Sequence, residues 1–336
     1  MPMYDPDTYR TRQARYKPLE AAGIYALQQC SISPAELRFV SDTGNVIFQA
    51  ETAAHAYGVR IYPDPFRTIP EILGELYWLL DLKRNSSLVV PEPLATPSGQ
   101  LVQEISVPET GQPIQVVIFH WLPGSIIGHT LTPEMARQIG QLMAELHEHA
   151  AAFALPAGSF RDTTDWRGMG HFRANLSSEQ EARIDGFLSQ PQLELCQKTA
   201  VLAGQEIDKV NEQQDFGLTH NDLHAQNCLL HNGQIGIIDF DDCQFAPFTC
   251  DMAITISSFD PLPNRQYLQA VFLQGYAKRR PLPPNYEAEI AAFRAERRLR
   301  LIRWVSTWPS VTHFPFGWQT IHDSLKYCEQ FINSGI

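Results

Sequence analysis

The chain reads as an α+β protein of two lobes, a small one built on an antiparallel β-sheet and a larger, mainly helical one. Three observations lead there. β-rich runs with short turns fill the stretch from Leu37 to Tyr62, and such runs pair as neighbouring antiparallel strands. From Thr132 onward apolar residues recur instead at helical spacing, with one hairpin-like interruption. At 336 residues, the chain also exceeds what one hydrophobic core ordinarily organises.

In order along the chain, a polar leader precedes a short helix over residues 18–30, which Ser33-Pro34 stops. ELRFV, VIFQAE and YGVRIY follow as three strands, the first two joined by the turn Ser41-Asp42-Thr43-Gly44-Asn45. Ile72, Leu73, Leu76, Leu79 and Leu80 set a helix over 69–82. After a turn-rich loop at 93–99, strands are expected at 101–105 and 115–119. The second ends at His120-Trp121-Leu122-Pro123-Gly124, where proline and glycine break the ladder. The first lobe therefore takes residues 1–118 with a leader over 1–35, the linker 119–124, and the second lobe 125–336.

In the second lobe, Thr132 caps a helix and Pro133 occupies its first position. Met135, Ile139, Leu142, Met143, Leu146 and Ala150 line one face of that helix. Beyond it the pattern is helical, except for Cys228-Leu229-Leu230, the turn His231-Asn232-Gly233 and Ile235-Gly236-Ile237-Ile238. Asn-Gly between two apolar runs is a strong hairpin signal.

Composition narrows the function. Hydrophobic residues at 44% and charged residues at 19% make a globular chain able to build substantial cores. A formal charge of −11 repels a phosphate backbone, so nucleic acid is not the expected partner. Six cysteines show neither a C-x-x-C pair nor zinc-like spacing, and read as reduced, mostly buried thiols of a cytoplasmic protein. The start carries charge and proline where a signal peptide needs an apolar run, and no uninterrupted apolar stretch of about 18 residues exists to span a membrane. One basic stretch, Arg294 to Arg303, lies in a helical pattern; it reads first as an ion-paired or solvated face, and second as a contact for an anion or substrate. Trp304, Trp308, Phe314, Phe316 and Trp318 read mainly as core, with part of the group walling an acceptor pocket. His147 and His149 are read as structural.

The chemistry lies between His220 and Asp241. Asp222 and Asn227 sit five apart on an expected loop, and Asp239 at the exit of the second hairpin strand. A hairpin brings its two ends together, so Asn227 and Asp239 are expected as neighbours. One amide oxygen and one carboxylate form a hard, oxygen-only pair, which suits magnesium shared with substrate phosphates and suits zinc poorly. Asp222 would then accept or orient the proton of an incoming hydroxyl, and His220 would brace the loop. The spacing H-x-D-x-x-x-x-N, then an apolar hairpin and an aspartate, is the arrangement used for phosphoryl transfer.

On these residues the chain resembles the aminoglycoside phosphotransferase and choline kinase family of the protein-kinase-like fold. In outline it is similar to homoserine kinase type II and bacterial stress-response kinase members. The resemblance implies a second metal carboxylate at Asp241 and a nucleotide-covering loop and strand at Asn45-Val46-Ile47-Phe48. It further implies a phosphate-contacting cation at Arg60 paired with Glu75, and a hinge around Phe119, Trp121 and Leu122 that holds the base. Adenine or guanine would lie between the lobes, as ATP or GTP with Mg2+. The covering loop carries one glycine, Gly44, and Arg60 stands where the family commonly has lysine, so a planar fork replaces a compact ammonium.

The expected reaction moves the γ-phosphate to a hydroxyl of a small-molecule acceptor. A serine or threonine on a protein is the alternative acceptor, and a nucleotide-binding module without transfer is the alternative class. Two plainer readings compete. Asp222, Asn227 and Asp239 are residue types that favour turns and caps anyway, and Arg60 with Glu75 alone would be an ordinary surface ion pair. His220, Asp222 and His224 would also fit a metal hydrolase, but that leaves Asn227 and Asp239 without a role.

Overall fold

A computed structural model of the chain describes residues 6–33, 36–42, 44–63, 67–106, 111, 113–163, 172–173, 176–210, 214–307 and 315–334. Its elements run α1 (Pro6–Gln29), β1 (Glu36–Asp42), β2 (Val46–Glu51), β3 (Ala56–Tyr62), α2 (Ile69–Asn85), β4 (Glu92–Leu94), β5 (Gln103–Ser106), β6 (Pro113–His120) and β7 (Ser125–Ile126). Then come α3 (Pro133–Ala152), α4 (Ser178–Phe187), α5 (Gln190–Ile207), β8 (Phe216–Thr219), β9 (Cys228–His231) and β10 (Gln234–Ile237). The chain closes with β11 (Gln244–Pro247), α6 (Phe248–Ser258), α7 (Arg265–Ala277), α8 (Tyr286–Thr307) and α9 (Pro315–Asn333). It divides into two compact units: residues 1–126 with 153–162 and 228–241, and residues 127–152 with 163–227 and 242–336.

In the first unit the antiparallel sheet runs β1-β2-β3-β6, with β4 and β5 both on the far side of β6. Alternation fixes the register. Val46, Phe48 and Ala50 of β2 and Val59 and Ile61 of β3 are buried, and pair so that Phe48 faces Val59 and Val46 faces Ile61. Helix α2 starts at a capping box, in which Thr68 and Glu71 each bond the other's backbone amide. It buries Ile72, Leu76, Trp78, Leu79 and Leu82 at helical spacing. Phe160 and Arg161 lie on this helix: the Phe160 amide donates to the Pro70 carbonyl at 2.8 Å, and Arg161 to the Glu71 carbonyl at 3.1 Å. A Cβ added to Gly74 would stand 2.4 Å from the Phe160 carbonyl oxygen, so that approach requires glycine.

The β9–β10 hairpin forms around Asn232 and Gly233, both with positive φ, at 49° and 80°. That is the backbone of a tight primed turn, and these two residue types tolerate it best. β7 adds a third strand along β9.

The second unit is helical around α6, whose residues Phe248 to Ser257 are all buried. α3 and α7 meet at two glycines: a Cβ on Gly140 would lie 2.1 Å from the Phe272 carbonyl oxygen, and one on Gly275 equally close to that of Arg137. Ile184, Leu188, Cys196, Leu299, Ile302 and Leu325 belong to a further core cluster, which α4, α5, α8 and α9 build. Among the described residues, no helix is long and apolar enough to cross a membrane.

Several sequence expectations need correction. The first helix begins at Pro6, with Pro18 inside it, rather than near residue 18. β4 and β7, of three and two residues, were too short for alternation to reveal. The second unit also contains a β8–β11 ribbon, which joins segments 25 residues apart from Thr219 to Gln244. Trp304 and Trp318 are exposed rather than core. Pro34, Thr43, Trp308 and Phe314, and the side chain of Phe316, lie outside the described residues.

The glycine contact gives a paired stability prediction. Gly140→Leu should lose about 2 kcal/mol or more, because overpacking forces α3 and α7 apart. Gly186→Ala in α4 has nothing within 4 Å of the new Cβ, and should be neutral or stabilising by up to about 1 kcal/mol. Urea denaturation of the two variants checks both; equal stability of Gly140→Leu and the wild type would contradict the packing described.

Candidate functional site

In the second unit, β8 delivers the loop that carries His220, Asp222 and Asn227, and one carboxylate shapes it. Asp251 of α6 is fully buried. Its Oδ2 accepts the His220 amide at 3.0 Å, and its Oδ1 accepts the Asn221 amide at 2.9 Å. Asn221 holds a φ of 64°, a left-handed conformation that asparagine tolerates better than most residues. The buried carboxylate therefore holds two otherwise unmatched amides and the bend between them. Thr255 adds a hydroxyl to the Leu223 carbonyl from the same helix.

His147 of α3 backs Asp251, with Nε2 3.2 Å from Oδ2 and Nδ1 2.9 Å from the Tyr276 hydroxyl. A carboxylate only accepts, so Nε2 carries the proton and Nδ1 accepts from Tyr276. Burial lowers the His147 pKa below its usual 6.5, against the pull of Asp251, so the ring is neutral.

Asp222 follows this bend. Its amide donates to His220 Nδ1 at 3.3 Å, and the His220 side chain is fully buried. Its carboxylate meets His224 Nε2 at 3.2 Å and Arg297 Nη2 of α8 at 3.3 Å. Burial works against the charge, but the His224 hydrogen bond, then the charges of His224, Arg297 and His220, outweigh it and hold the carboxyl below its ordinary 3.8. Asn227 donates through Nδ2 to the Asp222 backbone oxygen at 2.9 Å and to its Oδ2 at 3.2 Å. Both amide hydrogens are thus turned toward Asp222, and the amide oxygen is left to face elsewhere.

In the first unit, Arg60 of β3 is buried and pairs through Nη1 with both Glu75 oxygens of α2, at 2.7 and 2.8 Å. Burial opposes its charge, yet Glu75, with Tyr62 and the two aspartates at 241 and 239, keeps the guanidinium protonated well above the usual range. Its plane lies over the Phe119 ring, 4.9 Å from the centroid. The pair is buried, so the surface-pair reading fails.

Asp241 is engaged on all sides: it accepts from Asn45 Nδ2 at 3.1 Å and from the Tyr62 hydroxyl at 3.2 Å, with Arg60 at 3.9 Å and Arg67 at 3.7 Å. Its backbone oxygen accepts from Arg67 and Arg161. Asp239 differs. It has a φ of 69° and no hydrogen bond or ion pair to a protein side chain among the described residues. Phe240, fully buried against Trp78 at 5.4 Å between ring centroids, anchors the segment between them. Cys228, next after Asn227, pairs with Ile237, two residues before Asp239. Trp121 gives its amide to the Ala56 carbonyl at 3.0 Å, beyond the end of β6, and Leu122 follows half-buried.

Arg60, Glu75, Phe119, Asn45 and Asp241 are therefore brought together in one unit, and His220, Asp222 and Asn227 in the other. Among the described residues, no group of three or more His, Cys, Asp and Glu side chains is arranged to hold a metal ion, so His220, Asp222 and His224 lack the convergence that a zinc hydrolase needs. Sequence reasoning missed Asp251, Tyr62, Arg67 and Arg161. A signal existed for Asp251, the one acidic residue inside the apolar run Phe248 to Ser258, since a buried carboxylate needs partners. The arginines had no local signal.

A family model described as a phosphotransferase enzyme family matches residues 36–282. The chain is 30% identical over 259 residues to the homoserine kinase of Neisseria meningitidis serogroup B, covering 74% of this chain and 76% of that one. It is 22% identical over 278 residues to the amicoumacin kinase of Bacillus subtilis strain 168, covering 80% and 77%. Among solved structures, a microcompartment-associated aminopropanol kinase superposes with a TM-score of 0.75 at 25% identity, covering 93% and 94%. An amicoumacin kinase in complex with AMP-PNP and Ca2+ superposes at 0.76 with 18% identity, covering 96% of each chain. The kinase-like fold expected from the sequence is the fold of these structures.

The neutral His147 predicts a pH dependence of stability. The unfolded chain takes up a proton near pH 6.5, and the folded chain only at lower pH, so stability is greatest above 6.5 and falls on acidification toward the lowered folded value. His147→Gln should flatten the slope of unfolding free energy between pH 7.5 and 5.5 by up to about 1.4 kcal/mol per pH unit. Urea titrations at several pH values check this, and an unchanged slope would contradict it.

Proposed function

The chain belongs to the phosphotransferase enzyme family, and on that premise we propose that it moves the γ-phosphate of ATP, with GTP as the second donor candidate, to a hydroxyl of a small metabolite with the help of Mg2+. The relatives named above act, by their names, on homoserine, amicoumacin and aminopropanol, which supports a small-molecule acceptor over a protein one. Six free thiols, five of them buried, support a reducing, cytoplasmic setting.

One observation carries the assignment of roles. Asn227 spends both amide hydrogens on Asp222, which leaves its oxygen as a ligand, while Asp239 presents a carboxylate that feels the charge of Arg60 but makes no side-chain hydrogen bond or close ion pair among the described residues. The donor set is one neutral and one anionic oxygen, the hard ligands that magnesium takes alongside phosphate oxygens. When bound, the ion neutralises phosphate charge. Asp241, already held by Asn45, Tyr62, Arg60 and Arg67, comes second as a ligand, because it would have to give up those partners.

The chain's own residues do the rest. Asp222, kept ionised by His224 and Arg297, accepts a hydrogen bond from the acceptor hydroxyl, aims its oxygen at the γ-phosphorus and takes its proton as the new P–O bond forms and the bond to the leaving diphosphate breaks. His220, through its ring nitrogen on the Asp222 amide, positions that carboxylate. Arg60, held by Glu75, supplies positive charge for the nucleotide phosphates, and Asn45 closes over them. The hinge at Phe119, Trp121 and Leu122 holds the base. Positioning and charge neutralisation supply most of the rate in such a transfer.

Asp222→Asn and Asp239→Ala should each lower turnover by about 100- to 10,000-fold, with circular dichroism spectra like the wild type. Nucleotide should raise the melting temperature of the wild type only with Mg2+, and that gain should disappear in Asp239→Ala. Full activity in either variant would refute the roles given to these residues.

A further inference from the structure

The Arg-rich helix α8 puts three guanidiniums on one face, Arg294, Arg297 and Arg298, at the spacing that makes helical neighbours. They reach two carboxylates. Arg297 meets Asp222 at 3.3 Å, while Arg294 and Arg298 share Asp260, one on each oxygen, at 2.5 and 2.6 Å. Both of the latter also lie over the Tyr327 ring, 5.0 and 5.7 Å from its centroid. These three guanidiniums meet the carboxylates of Asp222 and Asp260; the buried Glu296 also acts on Arg297 but is itself paired with Arg300 and faces Arg303, so the balance stays positive, and Asp222 is the carboxylate that receives the acceptor hydroxyl. Among the described residues, the buried Nε atoms of Arg294 and Arg298 have no hydrogen-bond partner, and Arg297 makes a single hydrogen bond with its five N–H groups.

Such a site is built for an anion. A cationic acceptor would meet a surplus of positive charge, and the nearby carboxylates Asp222, Asp260 and Glu296 are each already paired with arginine. We propose that the acceptor is a hydroxy acid whose carboxylate is taken by Arg297, the hydroxyl and the carboxylate being held side by side by Asp222 and its ion-pair partner. Arg294 and Arg298, fixed by Asp260 and Tyr327, keep the flanking potential positive. Planar guanidinium matches carboxylate in two parallel hydrogen bonds, which lysine cannot do. The assignment deepens the phosphotransferase reading and rests on it.

Acceptors that differ only by the carboxylate test it: homoserine against 3-aminopropan-1-ol, serine against ethanolamine, threonine against 1-aminopropan-2-ol. The wild type should favour the carboxylate member of at least one pair by about 10- to 100-fold in kcat/KM, the range of a charge-assisted hydrogen bond. Arg297→Gln should lower kcat for both members, because Arg297 also helps hold Asp222 ionised, and should in addition collapse that ratio toward one through KM of the amino acid, while KM for the nucleotide stays within about twofold; Arg297→Lys should restore part of the ratio. A loss spread equally over both members of the pair would mark Arg297 as structural and overturn the proposal. So would preference for the amino alcohols, or transfer to neither member of any pair by a protein that binds nucleotide with Mg2+. Failure to bind nucleotide at all would overturn the phosphotransferase reading itself, and this proposal with it.

Discussion

A single buried carboxylate, Asp251, governs the geometry of the loop proposed to carry the chemistry. Without it, the amides of His220 and Asn221 would be buried donors without acceptors, and the left-handed turn at Asn221 would have nothing to hold it. The position of Asp222 follows from that bend, and the orientation of Asn227 follows from Asp222. Asp251 is itself stabilised by a neutral histidine whose other nitrogen is fixed by Tyr276. The sequence of dependence runs from an apolar helix, through one charge, to the loop.

The first unit solves a similar problem with more charges. Arg60 and Glu75 are both buried, which costs much unless geometry and hydrogen bonding are good, and here two short bonds and an aromatic face provide both. Asp241 joins that pair to Asn45, Tyr62 and Arg67, so strand, loop and helix are tied through one side chain. Asp239, two residues earlier, touches that network only through its charge on Arg60. The two aspartates therefore differ in their protein partners, a difference that the run Asp239-Phe240-Asp241 does not show by itself.

Much of this was legible from the residues alone. The strands from Glu36 to Tyr62, helix α2 and the Asn232-Gly233 hairpin are written in local alternation, helical spacing and turn chemistry, and the strand registers follow. The loop residues His220, Asp222 and Asn227 were readable because their spacing is local. What escaped was non-local or too short. The β8–β11 ribbon joins four-residue segments far apart in sequence, β7 has two residues, and Arg297 meets Asp222 across 75 positions. The aromatic residues near the C-terminus show the converse error. Trp304 and Trp318 are apolar enough to read as core, yet they are exposed, because large aromatics carry no mark of the face on which they lie.

The role given to Asn227 and Asp239 is the claim on which the chemistry stands, and electron paramagnetic resonance of Mn2+ as a stand-in for magnesium measures it directly. Titrated in the presence of a non-hydrolysable ATP analogue, the wild type should bind Mn2+ tightly and saturably, and Asn227→Ala and Asp239→Ala should each weaken that binding at least tenfold. Mn2+ affinity in both variants equal to that of the wild type would contradict the assignment.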